Sequence, residues 1–220
     1  MKNYKHIIWD WNGTLFDDVN LCVETINWLL TKYNLPTITL EKYRDIFSFP
    51  VRNYYEKAGF DLKIYDFNAI GKEWMDEYER RKSEIIISDG TISIIKKLNK
   101  KGIEQSILSA YSENTLIQLV EGFGIRKYFK HVIGLDNIYA ESKLDPARRL
   151  FEKLSRYSNF GIKNQILLIG DTEHDFEIAN EFGIDCILLT TGHQSPARLR
   201  KCNVPVFDSL QEVYEYLIQD

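Results

Sequence analysis

Residues 7–15 read Ile-Ile-Trp-Asp-Trp-Asn-Gly-Thr-Leu, an apolar run that stops at a carboxylate and a Gly-Thr turn. The pattern recurs downstream, where the apolar residues 166–169 are followed by Gly-Asp-Thr-Glu-His-Asp. A short apolar run bounded by turn residues predicts a buried strand. In open α/β sheets, ligands bind outside the carboxyl ends of the strands. We therefore predict that Asp10, Asp171 and Asp175 converge on one cation at such an edge.

The rest of the chain beyond residue 90 alternates between helical and strand patterns. Helices are predicted at 90–101, 113–122, 145–157, 174–182 and 208–219, and strands at 103–109, 131–135, 165–170, 184–190 and 203–207. Together with a first strand at 4–10, this alternation predicts an α/β fold whose parallel sheet carries helices on both faces.

The segment between the first two strands has a different, purely helical pattern. Apolar residues at helical spacing predict one helix over 18–33. Thr39 can cap a second helix that extends through Phe47. Pro50 suits the first turn of a third helix, and the pattern over 66–82 predicts a fourth. We therefore predict a core domain formed by 1–17 and 84–220, with a helical cap domain, 18–83, inserted over the end of the first strand as a lid.

Composition and charge exclude several classes of function. The 220 residues are 44% hydrophobic and 27% charged, with a net charge of -4. These values are typical of a soluble globular protein and give no electrostatic footprint for nucleic acid or an anionic membrane. No apolar run approaches the ~20 residues that span a bilayer. We expect neither a nucleic-acid nor a membrane partner.

The three cysteines are too few and too widely spaced to form a recognisable framework. Neither a disulfide pattern nor the ligand spacing of a zinc site is present in the sequence. A reducing, cytoplasmic location is therefore the default expectation, and the N-terminal apolar run is interrupted too early to be a secretory signal.

Residues 10–15, Ser109, Lys143 and 170–175 together resemble the four ordered motifs of the haloacid dehalogenase superfamily. The match spans nearly the whole chain and is close to the phosphoglycolate phosphatase-like branch. The resemblance implies a Rossmann-like core with a helical cap between the first and second motifs. It also implies a Mg²⁺-dependent phosphatase acting on a small phosphorylated metabolite, with phosphoglycolate the nearest substrate. We expect a monomer or a weak homodimer.

Asp10 is the candidate nucleophile, because a carboxylate at a strand end can attack phosphorus and form an aspartyl-phosphate that water then hydrolyses. Taken alone, Asp10 could equally cap the turn that follows it. Asp171 and Asp175 suit Mg²⁺, a hard cation that prefers oxygen ligands, although both acids could instead cap a helix. In the family the main-chain carbonyl of the residue at Asn12 also binds the metal.

Four further residues are candidates for holding substrate. The Ser109 hydroxyl and the Ala110 N–H lie where they can bind phosphoryl oxygens, and this role depends mainly on the resemblance. In the family, the lysine at Lys143 stabilises charge between the nucleophile and the phosphoryl group. Arg52, in the predicted cap, can pair with a substrate carboxylate.

Asn12 departs from the family pattern, since the related phosphatases carry an Asp there that protonates the leaving oxygen and then activates water. Such proton transfer contributes typically ~10²- to 10⁴-fold to a rate, and a carboxamide cannot provide it. Three readings follow: slow hydrolysis or hydrolysis of esters with good leaving groups, substitution by another group such as His174 or Asp17, or no phosphate ester hydrolysis.

The third reading has two forms. Phosphonatases of the superfamily also carry a non-acid at this position and use a cap lysine as a Schiff base, and residues 10–14 are similar to their first motif. No cap lysine matches that role with confidence among Lys32, Lys42, Lys57, Lys63 and Lys72. Alternatively, Asn12 could mark a regulatory protein that binds a phosphorylated ligand without turnover.

Overall fold

The computed structural model describes residues 4–135, 143–157 and 165–219. Within them the strands are β1 (His6–Trp9), β2 (Phe16–Asp17), β3 (Ile86–Ile87), β4 (Glu104–Ser112), β5 (His131–Leu135), β6 (Ile166–Gly170), β7 (Asp185–Leu189) and β8 (Val206–Phe207). The α-helices are α1 (Val19–Lys32), α2 (Leu40–Ile46), α3 (Val51–Ala58), α4 (Phe67–Arg81), α5 (Thr91–Lys100), α6 (Glu113–Gly122), α7 (Leu144–Tyr157), α8 (Glu173–Phe182), α9 (Pro196–Leu199) and α10 (Leu210–Ile218).

Six strands form a parallel sheet in the order β5-β4-β1-β6-β7-β8. The central strand, β1, is hydrogen-bonded to β4 on one side and β6 on the other, with Trp9 opposite Ile107 and Ile169. Because the three strands run parallel and in register, the residues that follow them meet at one edge of the sheet. The predicted α/β class is confirmed.

Alternate side chains of β1 pack into two different cores, one on each face of the sheet. Ile7 and Trp9 belong to a cluster that includes buried residues of α5, α6 and α10. Ile8 belongs to a second cluster with α7 and α8. The strand has apolar side chains on both faces because helices cover both.

Helices α1 to α4, which we call the helical insert, lie in sequence between the short strands β2 and β3. These two strands pair antiparallel, with Phe16 opposite Ile87. The apolar stripe predicted for the first helix is buried, and the Thr39 hydroxyl accepts the Lys42 N–H at 3.2 Å as the predicted cap of α2. The β2–β3 pair was not predicted, because two-residue strands are too short to show a period of two.

Two other details differ from the sequence prediction. The second predicted strand was expected to end at Ser109, whereas β4 continues to Ser112 after an irregularity that begins at Leu108. Pro50 was placed in the first turn of a helix, but it immediately precedes α3 as its N-cap residue. In the ranges that the structure covers, no helix combines the length and apolarity needed to cross a membrane.

Candidate active site

Four buried charged side chains meet at the carboxyl edge of the sheet, and we call them the charged floor: Asp10, Lys143, Asp171 and Asp175. Asp10 follows β1, Asp171 follows β6, Asp175 lies in the first turn of α8, and Lys143 immediately precedes α7. The Lys143 ammonium lies 2.6 Å from Asp10 Oδ1 and 2.7 Å from Asp175 Oδ1. The structure thus brings the predicted nucleophile, the lysine and both downstream acids together.

The turn between β6 and α8 holds Asp175 in a fixed orientation. Its Oδ2 accepts the Thr172 N–H at 3.0 Å, the Thr172 hydroxyl at 2.6 Å and the Asp171 N–H at 3.2 Å. A Cβ at Gly170 would overlap the Asp175 carboxyl group, so glycine is required there by close approach. Thr172 and Asp175 form a capping box, so Asp175 caps the helix through Oδ2 while its Oδ1 faces the floor.

Asp171 is held on the opposite side of the floor by two donors. Its Oδ2 accepts the His193 N–H at 2.6 Å, and its Oδ1 accepts the Thr14 hydroxyl at 3.2 Å. Burial, followed by the charge of Asp175, raises the pKa of Asp171 to about 7. Burial also raises the pKa of Asp10 well above its usual range, although the Lys143 ammonium opposes this shift. Burial opposes ionisation of Asp175 too, but Lys143 outweighs it and lowers the pKa of Asp175.

These carboxylates fit a divalent cation. Oxygen atoms of Asp10, Asp171 and Asp175 lie within 4.8 Å of one another. Three buried carboxyl groups face a single ammonium, so the floor has more acidic groups than its one lysine can balance, and a bound hard cation would favour their ionised forms. The main-chain carbonyl of Asn12 accepts no main-chain hydrogen bond from the described residues, and it is therefore available as a further oxygen ligand.

The Asn12 side chain belongs to a network around a residue that sequence reasoning missed, Asp18. Asn12 Nδ2 donates to Asp18 Oδ2 at 2.8 Å, and the Tyr78 hydroxyl donates to the same oxygen at 2.8 Å. Asp18 Oδ1 accepts the Gly13 N–H at 2.9 Å and lies 3.3 Å from His193 Nε2. Burial opposes ionisation of Asp18, but His193 and these donors outweigh it and lower its pKa.

His193 was also missed, and it links this network to the helical insert. Its Nδ1 lies 2.8 Å from the Tyr43 hydroxyl of α2. The only available signal in the sequence was its position in the turn that follows β7, at the same edge of the sheet as the motifs. A lone histidine in such a turn shows no spacing that distinguishes it from a structural residue.

The two groups named as substitutes for the missing acid lie elsewhere. His174 Nε2 accepts the Lys143 N–H at 2.9 Å, so this nitrogen supports the lysine main chain. Asp17 is exposed on β2 and does not line the cavity described below.

The Ser109 hydroxyl donates to Asn12 Oδ1 at 3.4 Å and accepts the Tyr111 N–H at 3.1 Å. Ser109 therefore lies beside Asn12, as its predicted role requires.

A cavity of about 460 Å³ lies between the charged floor and the helical insert. Asp10, Asn12, Ser109, Ala110 and Lys143 are among the residues at its base. Its walls are largely aromatic, and we call them the aromatic chamber: Tyr43, Phe47, Phe49, Tyr54, Tyr55, Phe67, Trp74, Tyr78 and Tyr111.

Arg52 does not line this cavity, although it was a predicted contact for a substrate carboxylate. Its side chain is exposed, and its guanidinium lies 5.4 Å from the centre of the Phe67 ring. Of the five lysines considered as Schiff-base candidates, Lys72 lines the cavity. Its ammonium lies 2.5 Å from Asp76, and the side chain is 69% exposed.

A model of the haloacid dehalogenase-like hydrolase family matches residues 7–189. The chain belongs to this family. The predicted superfamily is thus confirmed, and the match begins at β1 and ends at β7, so it includes every residue of the charged floor.

This family member is similar to several known proteins. Phosphoglycolate phosphatase 1 of Pseudomonas aeruginosa is 25% identical over 196 residues, which cover 85% of this chain and 70% of the relative. A predicted phosphatase from Clostridium acetobutylicum has a TM-score of 0.78 at 19% identity, with 98% of each chain covered. Protein Tyrosine Kinase A of Mycobacterium tuberculosis has a TM-score of 0.79 at 19% identity, with 100% of each chain covered. At such identities the two structures show the fold alone.

Proposed function

We propose that this haloacid dehalogenase-like hydrolase is a Mg²⁺-dependent phosphomonoesterase that works through an aspartyl-phosphate on Asp10. The observation that carries this proposal is the buried Lys143 ammonium between Asp10 and Asp175 at the base of the cavity. Relatives named phosphoglycolate phosphatase support a phosphate ester as substrate. Phosphoglycolate is accordingly the reference compound for a small phosphorylated metabolite.

Asp10 would act as the nucleophile. One carboxylate oxygen forms a bond to phosphorus as the ester P–O bond breaks, and the alcohol oxygen departs with the bonding electrons. Water then attacks the aspartyl-phosphate, releases inorganic phosphate and restores the carboxylate. Lys143 favours the ionised form of Asp10 that attack requires, because the ammonium lies 2.6 Å from one carboxylate oxygen.

The transferred phosphoryl group carries negative charge that needs donors at the base of the cavity. Lys143, the Ser109 hydroxyl and the Ala110 N–H are the groups that would supply them, because all three residues line the cavity beside Asp10. Donors fixed in a buried site stabilise developing charge more strongly than water does.

Asp10, Asp171, Asp175 and the Asn12 carbonyl would hold Mg²⁺. When bound, the ion would neutralise phosphoryl charge as a Lewis acid. Because the three carboxylates already face each other in a buried site, its binding would also relieve their mutual repulsion.

The helical insert would serve as the cap. Under this proposal the division is 18–83 for the cap and 1–17 with 84–220 for the core, and the aromatic chamber excludes water from the reacting group. A cytoplasmic location and a monomer or weak homodimer stay predictions from the sequence.

Phosphate release from a panel of phosphomonoesters, phosphoglycolate included, tests this function. We expect release that requires Mg²⁺ and is abolished by Asp10→Asn, which keeps the size of the side chain but removes the nucleophile. Release that persists in Asp10→Asn would contradict the nucleophile assignment. Folded protein that binds Mg²⁺ and releases no phosphate from any ester would contradict the function itself.

A further inference from the structure

We propose that the substrate is an aryl phosphomonoester, in which the phosphate is attached directly to an aromatic ring. This inference rests on the proposed phosphatase function and specifies its substrate class. Two independent features carry it: the composition of the aromatic chamber, and the hydrogen bonding on the side of the site where the leaving group departs.

The chamber is too large and too apolar for a two-carbon dianion. Its volume of about 460 Å³ is within the range of pockets that enclose ring-containing ligands. A second anionic end on the substrate would need a cation of its own. Among the described residues that line the cavity, the basic side chains are Lys143, which pairs with the floor, Lys72, which pairs with Asp76, and His193, which lies beside Asp18. Aromatic walls instead favour an aromatic ring, through stacked and edge-to-face contacts.

Two polar atoms in the chamber are buried without a hydrogen-bond partner in the described part of the chain. They are the hydroxyl of Tyr54, a residue that is only 3% exposed, and the indole nitrogen of Trp74. Both residues line the cavity. Both atoms are closed to solvent, so they belong to the packing of the chamber walls, and it is the rings facing the cavity that indicate the class of ligand.

On the leaving-group side of the site, the residues that the structure describes offer no free acid. Asn12 itself cannot donate a proton to the departing oxygen. The adjacent carboxylate, Asp18, accepts hydrogen bonds from Asn12, Gly13 and Tyr78. His193 is occupied on both ring nitrogens, by Asp18 and by the Tyr43 hydroxyl.

An aryl ester removes the need for that acid. When the ester P–O bond breaks, the oxygen departs with the electron pair as a phenolate, and it takes up a proton later from solvent. A phenol ionises near pH ~10, whereas an alkyl alcohol is a much weaker acid and leaves poorly without protonation. The substitution at Asn12 and the aromatic walls therefore select the same class of substrate.

Four matched esters test the proposal with the Mg²⁺-loaded protein: phenyl, benzyl and cyclohexyl phosphate, and phosphoglycolate. Cyclohexyl phosphate matches phenyl phosphate in size without aromaticity, and benzyl phosphate keeps the ring but leaves as an alkoxide. We expect phenyl and benzyl phosphate to share a similar KM, and benzyl phosphate to have a kcat lower by about tenfold or more. The other two esters should show KM values higher by about tenfold.

Each outcome separates the inference from the function on which it rests. If phosphoglycolate or cyclohexyl phosphate equals phenyl phosphate in kcat/KM, the aryl class is wrong while the phosphatase function stands. If none of the four esters gives release that depends on Asp10, the phosphatase function fails as well.

A charge-conserving exchange tests the leaving-group argument, because any phosphatase favours good leaving groups to some extent. Asn12→Asp alone would place two carboxylates at hydrogen-bond distance, so we combine it with Asp18→Asn. The exchange restores an acid at position 12, and we expect the ratio of benzyl to phenyl phosphate turnover to rise by about 10- to 100-fold. An unchanged gap between the two esters would overturn the argument.

If the exchange does not fold, a series of substituted phenyl phosphates provides the same test on the natural chain. Without acid catalysis, kcat/KM should fall steadily as the pKa of the leaving phenol rises. A flat series would overturn the argument.

Trp74→Ala tests the chamber, with Trp28→Ala as its matched control. Trp74 stacks on Tyr78 with ring centres 5.1 Å apart, whereas Trp28 lies on α1, is 39% exposed and does not line the cavity. We expect Trp74→Ala to raise the KM for phenyl phosphate by about tenfold, and Trp28→Ala to leave it unchanged. If the two substitutions change the KM for phenyl phosphate equally, Trp74 does not contact the substrate.

Discussion

The charged floor and the aromatic chamber face each other across one cavity, yet they are built in opposite ways. The floor consists of charged side chains fixed by short polar contacts, such as the 2.6 Å contact between Lys143 and Asp10. The chamber consists of rings, all but Tyr111 from the segment of the helical insert, that pack at centre distances such as 5.4 Å between Tyr43 and Phe47. We infer that the floor determines which bond breaks and the chamber determines which molecule is bound.

The two regions also differ in how they tolerate change. A buried charge network has few acceptable alternatives, because each group left without its partner carries a large desolvation cost. In an apolar wall, one aromatic side chain at a time can be replaced by another apolar side chain of similar size with only a small loss of stability. Within one family, the residues of the floor can therefore stay the same while substitutions in the chamber change which substrate is bound.

Removal of the lysine from the floor should have the largest effect. Lys143→Met eliminates the only ammonium between Asp10 and Asp175 among the described residues, and we expect kcat to fall by about 10³-fold. Lys143→Arg, which keeps the charge, is the control and should retain more activity. Phosphate release measures both. A loss below about tenfold in Lys143→Met would show that the floor does not control the chemistry.

His6, at the opposite end of β1 from the floor, should contribute separately to the pH dependence of folding. Burial lowers the pKa of His6 to about 4, so at this residue the folded state binds fewer protons than the unfolded state between that value and the usual 6.5. The His6 contribution to stability is complete above pH 6.5 and falls by about 2 kcal/mol between pH 7.5 and pH 5. The raised pKa of Asp171 acts with the opposite sign, so urea denaturation at both pH values measures the His6 contribution as a difference between the natural chain and a variant without His6.

The control for this prediction is His6→Gln, which cannot titrate in this range and can still bond to Ser106. Relative to the natural chain, the variant should gain about 2 kcal/mol of stability between pH 7.5 and pH 5. An equal change in both proteins would show that His6 makes no such contribution.

Tyr78 belongs to the chamber but contacts the polar network beside the floor, so Tyr78→Phe tests whether the two regions are independent. Its hydroxyl donates to Asp18 and lies 3.2 Å from Asn12 Nδ2. We expect kcat/KM to fall by about fivefold, equivalent to one hydrogen bond worth roughly 1 kcal/mol. Tyr65→Phe, also in the insert but outside the cavity lining, should have no effect. An unchanged kcat/KM in Tyr78→Phe would show that the chamber and the floor act independently.

The smallest effect should come from Arg52→Ala. Arg52 is exposed and lies behind Phe67 relative to the cavity lining, so we expect KM and kcat to change by less than about twofold. The measurement is the KM for phosphoglycolate and for phenyl phosphate. A large rise for phosphoglycolate alone would support the contact with a substrate carboxylate that the sequence suggested, and it would argue against the aryl class.

The fold and the floor were largely predictable from the sequence because their signals are local. Asp10 and Asp171 each end an apolar run, and parallel strands bring such ends to one edge whatever the rest of the chain does. Asp175 is four residues from Asp171, at the start of a helix, so its position follows from the same turn. The alternation of helices and strands was sufficient to identify the α/β class.

The chamber was not predictable, because no local sequence pattern distinguishes its residues from others. Tyr54 and Trp74 have the helical spacing of ordinary core residues, and only the packing of the insert over the sheet shows that they line a cavity. The same is true of Asp18 and His193, which are 175 positions apart in the sequence and meet only in the folded chain, 3.3 Å apart.

The sequence by itself determined the order of strands and helices, the acids at the strand ends and the loss of an acid at Asn12, because these depend on residue type and near neighbours. The tertiary structure alone decided what surrounds Asn12 and which rings enclose the cavity. Contacts between distant segments arise from the burial of whole helices, and the energy of that burial is shared among many side chains that look alike in sequence.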